Sequence, residues 1–344
     1  MLKSSFRFTV LILVWIYACG VFAWFVAKSV YGDTIWWLAL LNALAAQLFL
    51  PLPIFLLLGL IQRKHPSYLI LILPGSIFIW LYGALFLPQR PVPVTNHAAI
   101  TVMTFNVWGN NTPDDLVQVI RAQGLPDIVA LQELRTPMAD ILVEELGNEY
   151  PYQAFRTSYF ENGVGILSKY PMEKRLMARS NIYFFSREFQ IADVQIDDRT
   201  FTIYNIHPES SNIFQFWRLG GDVGYQVDLS FKLRGYIMKE VAKQIQAEAH
   251  PIILTGDFNF TDQNDAYQHF SAILKDAHRE VGWGFGHTYP SYVGNFRNVP
   301  IPPKLLRIDM IWYSDHFTAI QNQLGSSSGE SDHLPVIATL KWRQ

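Results

Sequence analysis

Three apolar runs in succession, at residues 8–30, 35–61 and 68–87, constrain this chain more than any other feature of its sequence. The first reads FTVLILVWIYACGVFAWFVAKSV. Each is close to the ~20 residues that a helix needs to cross the apolar core of a bilayer. A lone run at the N-terminus would also suit a cleaved leader, but three in a row do not. Trp36, Trp37 and Tyr68 flank the runs, where an amphipathic ring gains by sitting at the membrane–water boundary. Residues 1–87 therefore read as a three-helix membrane anchor, with the lipid bilayer as the partner of residues 8–87.

Charge sets the expected orientation. Lys3 and Arg7 precede the first run, and Arg63, Lys64 and His65 lie between the second and third. Between the first and second, Lys28 is offset by Asp33. Cytoplasmic loops carry the excess of Lys and Arg, so the N-terminus and the second loop are assigned to the cytoplasm. Three crossings then deliver the rest of the chain outside the cytoplasm, to a periplasm or the cell surface. Pro51 and Pro53 interrupt the second run. If that run were a re-entrant hairpin, the remainder would be cytoplasmic.

Residues 88–99, PQRPVPVTNHAA, have the proline content of a stiff linker. They separate the anchor from a domain at 100–344. The first ninety residues hold six of the 27 Lys and Arg but one of the 29 Asp and Glu. The remainder thus has 21 basic and 28 acidic groups, a net charge of −7 with histidine neutral. A dedicated nucleic-acid binder draws affinity from a basic stripe, so nucleic acid is possible as a partner but not favoured. The single cysteine, Cys19, lies in the first apolar run. The domain therefore has neither a disulfide framework nor a thiolate metal site.

From residue 100 the pattern changes to short strands rich in β-branched and aromatic residues, at 100–105, 127–132, 164–168, 189–196, 201–206, 252–255, 308–313 and 335–340. Helices are expected at 113–123, 137–146 and 229–248. In the last, Leu233, Ile237, Val241 and Ile245 recur on one face, and Asp228 is the expected cap. The strands at 189–196 and 201–206 adjoin across the turn Asp197-Asp198. That arrangement favours antiparallel pairing over a doubly wound sheet.

Polar residues suited to metal binding and proton transfer stand at the ends of these strands. Asn106 ends the first, Glu133 ends Leu-Gln-Glu, and His207 ends Tyr-Asn-Ile-His. Asp257 and Asn259 fall in Gly-Asp-Phe-Asn, Asp309 in Arg-Ile-Asp-Met-Ile, and Asp332 and His333 in Ser-Asp-His-Leu-Pro. Any one piece is ordinary, but six in order are not. Together they resemble the ordered motifs of the endonuclease/exonuclease/phosphatase superfamily over about residues 98–343.

The resemblance implies an α+β four-layer sandwich, two mainly antiparallel sheets flanked by helices, preceded here by three transmembrane helices. By matching motifs, it implies Glu133, Asn106 and Asp332 as the metal set. Asp257 and Asn259 would contact the nucleophile and the phosphate. His333 would activate water with Asp309 orienting it, and His207 would be the second histidine. Glu161, in Phe-Glu-Asn-Gly-Val-Gly, is the nearest match to the carboxylate partner of that histidine.

Residue chemistry agrees with this assignment. Oxygen ligands suit a hard cation such as Mg²⁺, with Mn²⁺ as a substitute. A neutral imidazole near pH 7 is poised to accept a proton from water. The expected activity is divalent-metal-dependent hydrolysis of a phosphoester, diester or monoester. Residues 208–236 carry Phe214, Phe216, Trp217, Tyr225 and Phe231 with Arg218 and Arg234. They would hold a lipid headgroup, stack a base or pack as a lid. The loop 282–290, Gly-Trp-Gly-Phe-Gly-His-Thr-Tyr-Pro, is a second candidate to line the cleft, with His287 a substrate contact or structural. The alternatives are an anchored nuclease that degrades extracellular or periplasmic nucleic acid, and a non-catalytic binding domain.

Overall fold

The computed structural model describes residues 2–61, 66–87, 99–108, 112–157, 159, 163–175, 189–211, 220–296 and 299–343. Most of the expected linker, Glu161, and Phe214, Phe216, Trp217 and Arg218 lie outside these residues.

The N-terminal segment begins with α1 (Leu2–Tyr31), followed by α2 (Trp36–Ala43), a 3-10 turn (Ala45–Phe49) and α3 (Pro51–Ile61). A second 3-10 turn (Pro66–Leu71), α4 (Ile72–Tyr82) and a third (Gly83–Phe86) complete it. Phe6–Tyr31 and Tyr68–Phe86 are each long and apolar enough to cross a membrane. The second apolar run is not one straight helix: Trp36–Ala43 and Ala45–Ile61 meet at 70°. The prolines do not cause this bend. Pro51 opens α3, where a missing N–H is no loss because first-turn donors have no partner within the helix. The bend instead lies beside Asn42, whose side chain donates to Gly32 O (3.1 Å) and Asp33 Oδ1 (2.9 Å) and accepts from Trp24 Nε1 (3.0 Å). Val14, Trp24, Leu38, Phe49, Leu71 and Tyr82 form the core of this segment, with Phe285 packed against it.

The remainder is a sandwich of two six-stranded sheets. The first comprises β1 (Ala99–Asn106), β2 (Ile128–Leu134), β3 (Tyr152–Arg156), β4 (Gly163–Ser168), β13 (Phe317–Leu324) and β14 (Val336–Trp342), in the order β13-β14-β1-β2-β4-β3. The second comprises β5 (Met172–Arg175), β6 (Phe189–Ile196), β7 (Arg199–Ile206), β8 (Ile252–Asp257), β9 (Lys275–Asp276) and β12 (Asp309–Tyr313), in the order β5-β6-β7-β8-β12-β9. A hairpin of β10 (Gly294–Phe296) and β11 (Val299–Ile301) stands apart. The helices α5 (Pro113–Ala122) and α6 (Thr136–Leu146) cover the first sheet. Helices α7 (Val223–Gln246) and α8 (Asp265–Ser271) cover the second, and α9 (Ala277–Val281) lies near β13.

Strand alternation sorts the core. On β1, Ile100 and Val102 face the second sheet, whereas Met103 and Phe105 face α5 and α6. On β12, Ile311 and Tyr313 lie between the sheets, and Met310 and Trp312 lie under α7 and α8. The β6–β7 hairpin forms around Asp197, which takes a φ of 55°. Each sheet also contains one parallel pair, β1–β2 and β7–β8. These pairs are joined through α5 and α7, and their C-terminal ends carry the motif residues.

Helix α7 starts earlier than its periodicity suggests. Asp222 caps it, accepting from Tyr225 N at 3.0 Å, and Asp228 pairs with Lys232 at 2.6 Å within the helix. The buried stripe includes Arg234, Ile237, Val241 and Ile245, with Leu233 only half-buried. A charged residue occupies the position that the apolar repeat assigned to its neighbour.

Candidate active site

Each motif residue is set by a local backbone requirement. Glu133 has a φ of 57°, at a register shift where β2 passes β4. The bulge turns its side chain out of the strand alternation. Gly256 has a φ of 152°, and a Cβ there would collide with the Ile206 carbonyl. Only glycine lets β8 run this close to β7 and deliver Asp257 to the centre of the site. Asn259 follows with a φ of 53°, its N–H donating to Asp257 Oδ1 at 2.9 Å.

Asn106 joins the two halves. Its Nδ2 donates to Glu133 Oε1 (3.0 Å) and Asp257 Oδ2 (3.0 Å), while its Oδ1 accepts from Trp108 N (2.9 Å). With its amide so engaged, Asn106 orients the two carboxylates. Asp257 lies between two histidines, its Oδ2 at 3.7 Å from both His207 Nε2 and His333 Nε2. His207 Nε2 is also 3.7 Å from Glu133 Oε1. Its Nδ1 is buried without a partner among the described residues. Behind His333, Asp309 Oδ2 accepts from Nδ1 at 2.9 Å. Ser331 Oγ donates to Asn106 O (2.7 Å) and accepts from His333 N (3.1 Å), tying the last motif to the end of β1. Asn259 Nδ2 donates to Pro208 O at 2.9 Å, beside His207.

Electrostatics concentrates here. Burial opposes charge on His333, but Asp309, Asp257 and Asp332 outweigh it and push its pKa up to about 10. Burial also raises Asp309, so the dyad as a unit holds its proton. Asp332 is pushed up to about 6, by burial first, with Glu133 and Asp257 adding to it against His333. Asp332 Oδ1 is buried with no hydrogen-bond partner among the described residues. Mutually repelling carboxylates with an unsatisfied buried oxygen fit a hard divalent cation, which would relieve both conditions. Asp257, Asp309 and His333 also lie close enough, with ligand atoms within 4.8 Å, to hold a metal. The Asp309–His333 contact has hydrogen-bond length and already occupies Nδ1 and Oδ2. Glu133 and Asp332 offer further carboxylate oxygens of the kind a hard cation takes.

The two segments expected to line the cleft contribute in other ways. Tyr289 lies against the His333 ring, with centroids 4.9 Å apart. Thr288 Oγ1 accepts from Asp309 N at 3.4 Å. Buried Arg234 donates to Glu209 O (3.0 Å) and Ser211 Oγ (3.1 Å), tying down the segment that follows His207. Burial lowers its pKa to about 10. His287 is structural: Nδ1 meets Lys304 O at 2.7 Å and its ring stacks on Phe285.

Beneath the site, Asn205 bridges the sheets. It donates to Leu131 O (2.9 Å) and Gly165 O (3.0 Å) and accepts from Gln132 Nε2 (2.7 Å). Asn205→Ala strands these buried groups, at about 1–3 kcal/mol for a group left unsatisfied. The expected result is a clear fall in Tm of the detergent-solubilised protein, and an unchanged Tm would show that the bridge is dispensable.

The sequence profile of the Endonuclease/Exonuclease/phosphatase family matches residues 103–333. Among solved structures, the 3′ phosphatase NExo from Neisseria, bound to a product DNA hairpin, is 19% identical, with a TM-score of 0.53 over 71% of this chain and 100% of its own. D. rerio TDP2 complexed with single-strand DNA product is 17% identical, with a TM-score of 0.52 over 71% of this chain and 99% of its own. An endonuclease/exonuclease/phosphatase from Bacteroides vulgatus is 18% identical, with a TM-score of 0.51 over 72% of this chain and 100% of its own. Identities this low carry over the fold and nothing finer. A search of curated proteins gives no match.

Proposed function

The chain belongs to the endonuclease/exonuclease/phosphatase family, whose members are generally metal-dependent hydrolases of phosphoesters, and from that premise we propose that it hydrolyses a phosphoester with Mg²⁺ at Glu133 and Asp332. The observation that carries the reading is the Asp257 carboxylate, centred between His207 and His333 and held by Asn106. When bound, the cation supplies positive charge to the phosphoryl oxygens and offsets the carboxylates that keep His333 protonated. Asp257 and His333 hold the attacking water, and Nε2 of His333 takes its proton while Asp309 steadies Nδ1. His207 and Asn259 face the phosphoryl group from the other side, where an imidazolium or amide N–H stabilises its oxygens.

The test offers the full chain in detergent three substrates: bis(p-nitrophenyl) phosphate, p-nitrophenyl phosphate and supercoiled plasmid. Metal-dependent turnover of a small ester, with slower nicking, is expected. Preferential nicking would favour a nuclease. No cleavage of any substrate would leave a binding domain.

The same reading places the protein in a membrane with its catalytic domain outside the cytoplasm. Arg63, Lys64 and His65, on which the expected orientation rests, lie outside the described residues. The far ends of α1 and of Tyr68–Phe86 both meet the catalytic domain. Protease added to intact cells, or to spheroplasts if there is an outer membrane, is expected to digest the domain. Protection of the domain, with external controls cleaved, would place it in the cytoplasm.

A further inference from the structure

The anchor grips the loops at the catalytic end of the second sheet. Asp33 and Asp265 exchange contacts, each backbone N–H donating to the other's carboxylate at 2.7 Å. Asn264 Nδ2 donates to Asp33 Oδ1 (3.1 Å) and Ala39 O (3.1 Å). Gln47 Nε2 donates to Leu305 O (2.5 Å), and Gly284 N to Leu85 O (2.9 Å). Phe285 leaves the glycine-rich loop to pack on Tyr82 and Phe86, with both centroid separations 5.3 Å. The loop expected to line the cleft is thus shared, one end on the anchor and the other, at Tyr289, on His333.

These joints fix how far the chemistry stands from the membrane. Leu305 is four residues before Asp309, and Asn264 five after Asn259. An extended chain spans at most ~3.6 Å per residue, so either path is shorter than about 18 Å. The Asp33 and Leu85 contacts fall at the ends of apolar spans, where a bilayer's polar layer begins, and those of Ala39 and Gln47 lie on either side of the bend near Leu44.

The sandwich itself exposes aromatic rings at this level. Trp283, 66% exposed, lies beside Phe86, the last residue of a span. Tyr225, also 66% exposed, follows Gly224, which rests on Trp36. Exposed amphipathic rings are costly in water and favoured at a membrane boundary. Lys304 is also exposed near the anchor, its N–H on Pro290 O (2.7 Å) and its neighbour Leu305 accepting from Gln47.

We propose that the catalytic cleft opens onto the bilayer surface and that its substrate is the phosphoester headgroup of a lipid in the same membrane. This rests on the hydrolase reading and adds the substrate class. The anchor fixes the height of the cleft, the aromatic rim seats the domain among headgroups, and Lys304 favours an anionic one.

The test uses the full chain in vesicles of phosphatidylethanolamine and phosphatidylglycerol with a minor fraction of phosphatidic acid. Three arms share each preparation: release of headgroup or inorganic phosphate from the lipid, turnover of added bis(p-nitrophenyl) phosphate, and cleavage of an added oligonucleotide. Lipid hydrolysis is expected, and the released product separates a diester from a monoester substrate. Trp283→Ala with Tyr225→Ala is expected to lower the lipid arm about tenfold, through loss of interfacial seating, while the soluble ester is unchanged. Gln47→Ala with Asn264→Ala, which loosens the grip, should behave alike. Soluble-ester turnover with a silent lipid arm, or preference for the oligonucleotide, overturns the lipid assignment and leaves the hydrolase standing. Silence in all arms overturns both.

Discussion

His333→Ala lowers phosphoester turnover by roughly 10²–10⁴, the range lost with a positioned acid–base group. Asp309→Asn is expected to lower it as well. Asp309 Oδ2 receives the Nδ1 proton at 2.9 Å, and an amide there can offer its own N–H, which moves the imidazole proton to Nε2 and blocks that nitrogen as an acceptor. A base and its orienter act as a unit, so the double variant should be scarcely worse than His333→Ala alone. Losses that multiply would make Asp309 an independent contact to metal or phosphate. A mild His333→Ala beside a severe His207→Ala would exchange the roles of the two histidines.

Glu133→Gln removes most of the metal-dependent activity while keeping the fold. The amide is nearly isosteric and can still accept from Asn106 Nδ2, now at 3.0 Å from Oε1, but it is a poorer ligand for a hard cation. Mn²⁺ titration followed by electron paramagnetic resonance gives a readout apart from turnover. Binding should weaken markedly in Glu133→Gln and little in Asp309→Asn. The reverse pattern would assign the ion to Asp257, Asp309 and His333.

The motif residues were legible because each stands where an apolar strand stops or starts. Asn106, Glu133, His207 and Asp257 end or follow β1, β2, β7 and β8, so a sequence reader meets a polar group after a buried run. The internal strands were legible for the same reason. The edge strands were not: β5 is Met-Glu-Lys-Arg and exposes its middle residues, and β13 slips register between Ala319 and Gln321. Neither has an apolar run to announce it. Arg234 was read as part of a substrate-facing segment, whereas it is buried on Glu209 O and Ser211 Oγ, and Asn205 was hidden because a polar residue within an apolar pattern reads as an interruption until its partners are known. The grip of the anchor could not be read at all, since Asp33 and Asp265 are 232 residues apart and nothing near either signals the other. Pro51 and Pro53 mark the second run as interrupted, but its bend lies near Leu44, beside Asn42, which is tethered by side-chain contacts.

The most direct measurement is turnover of bis(p-nitrophenyl) phosphate by the chelator-treated full chain as Mg²⁺ is restored. The expected result is a saturable rise from no detectable activity, reproduced by Mn²⁺ and reversed by chelator. Turnover indifferent to the chelator, or none at any concentration of divalent ion from a protein that unfolds cooperatively on heating, would contradict the assignment of a metal-dependent phosphoesterase.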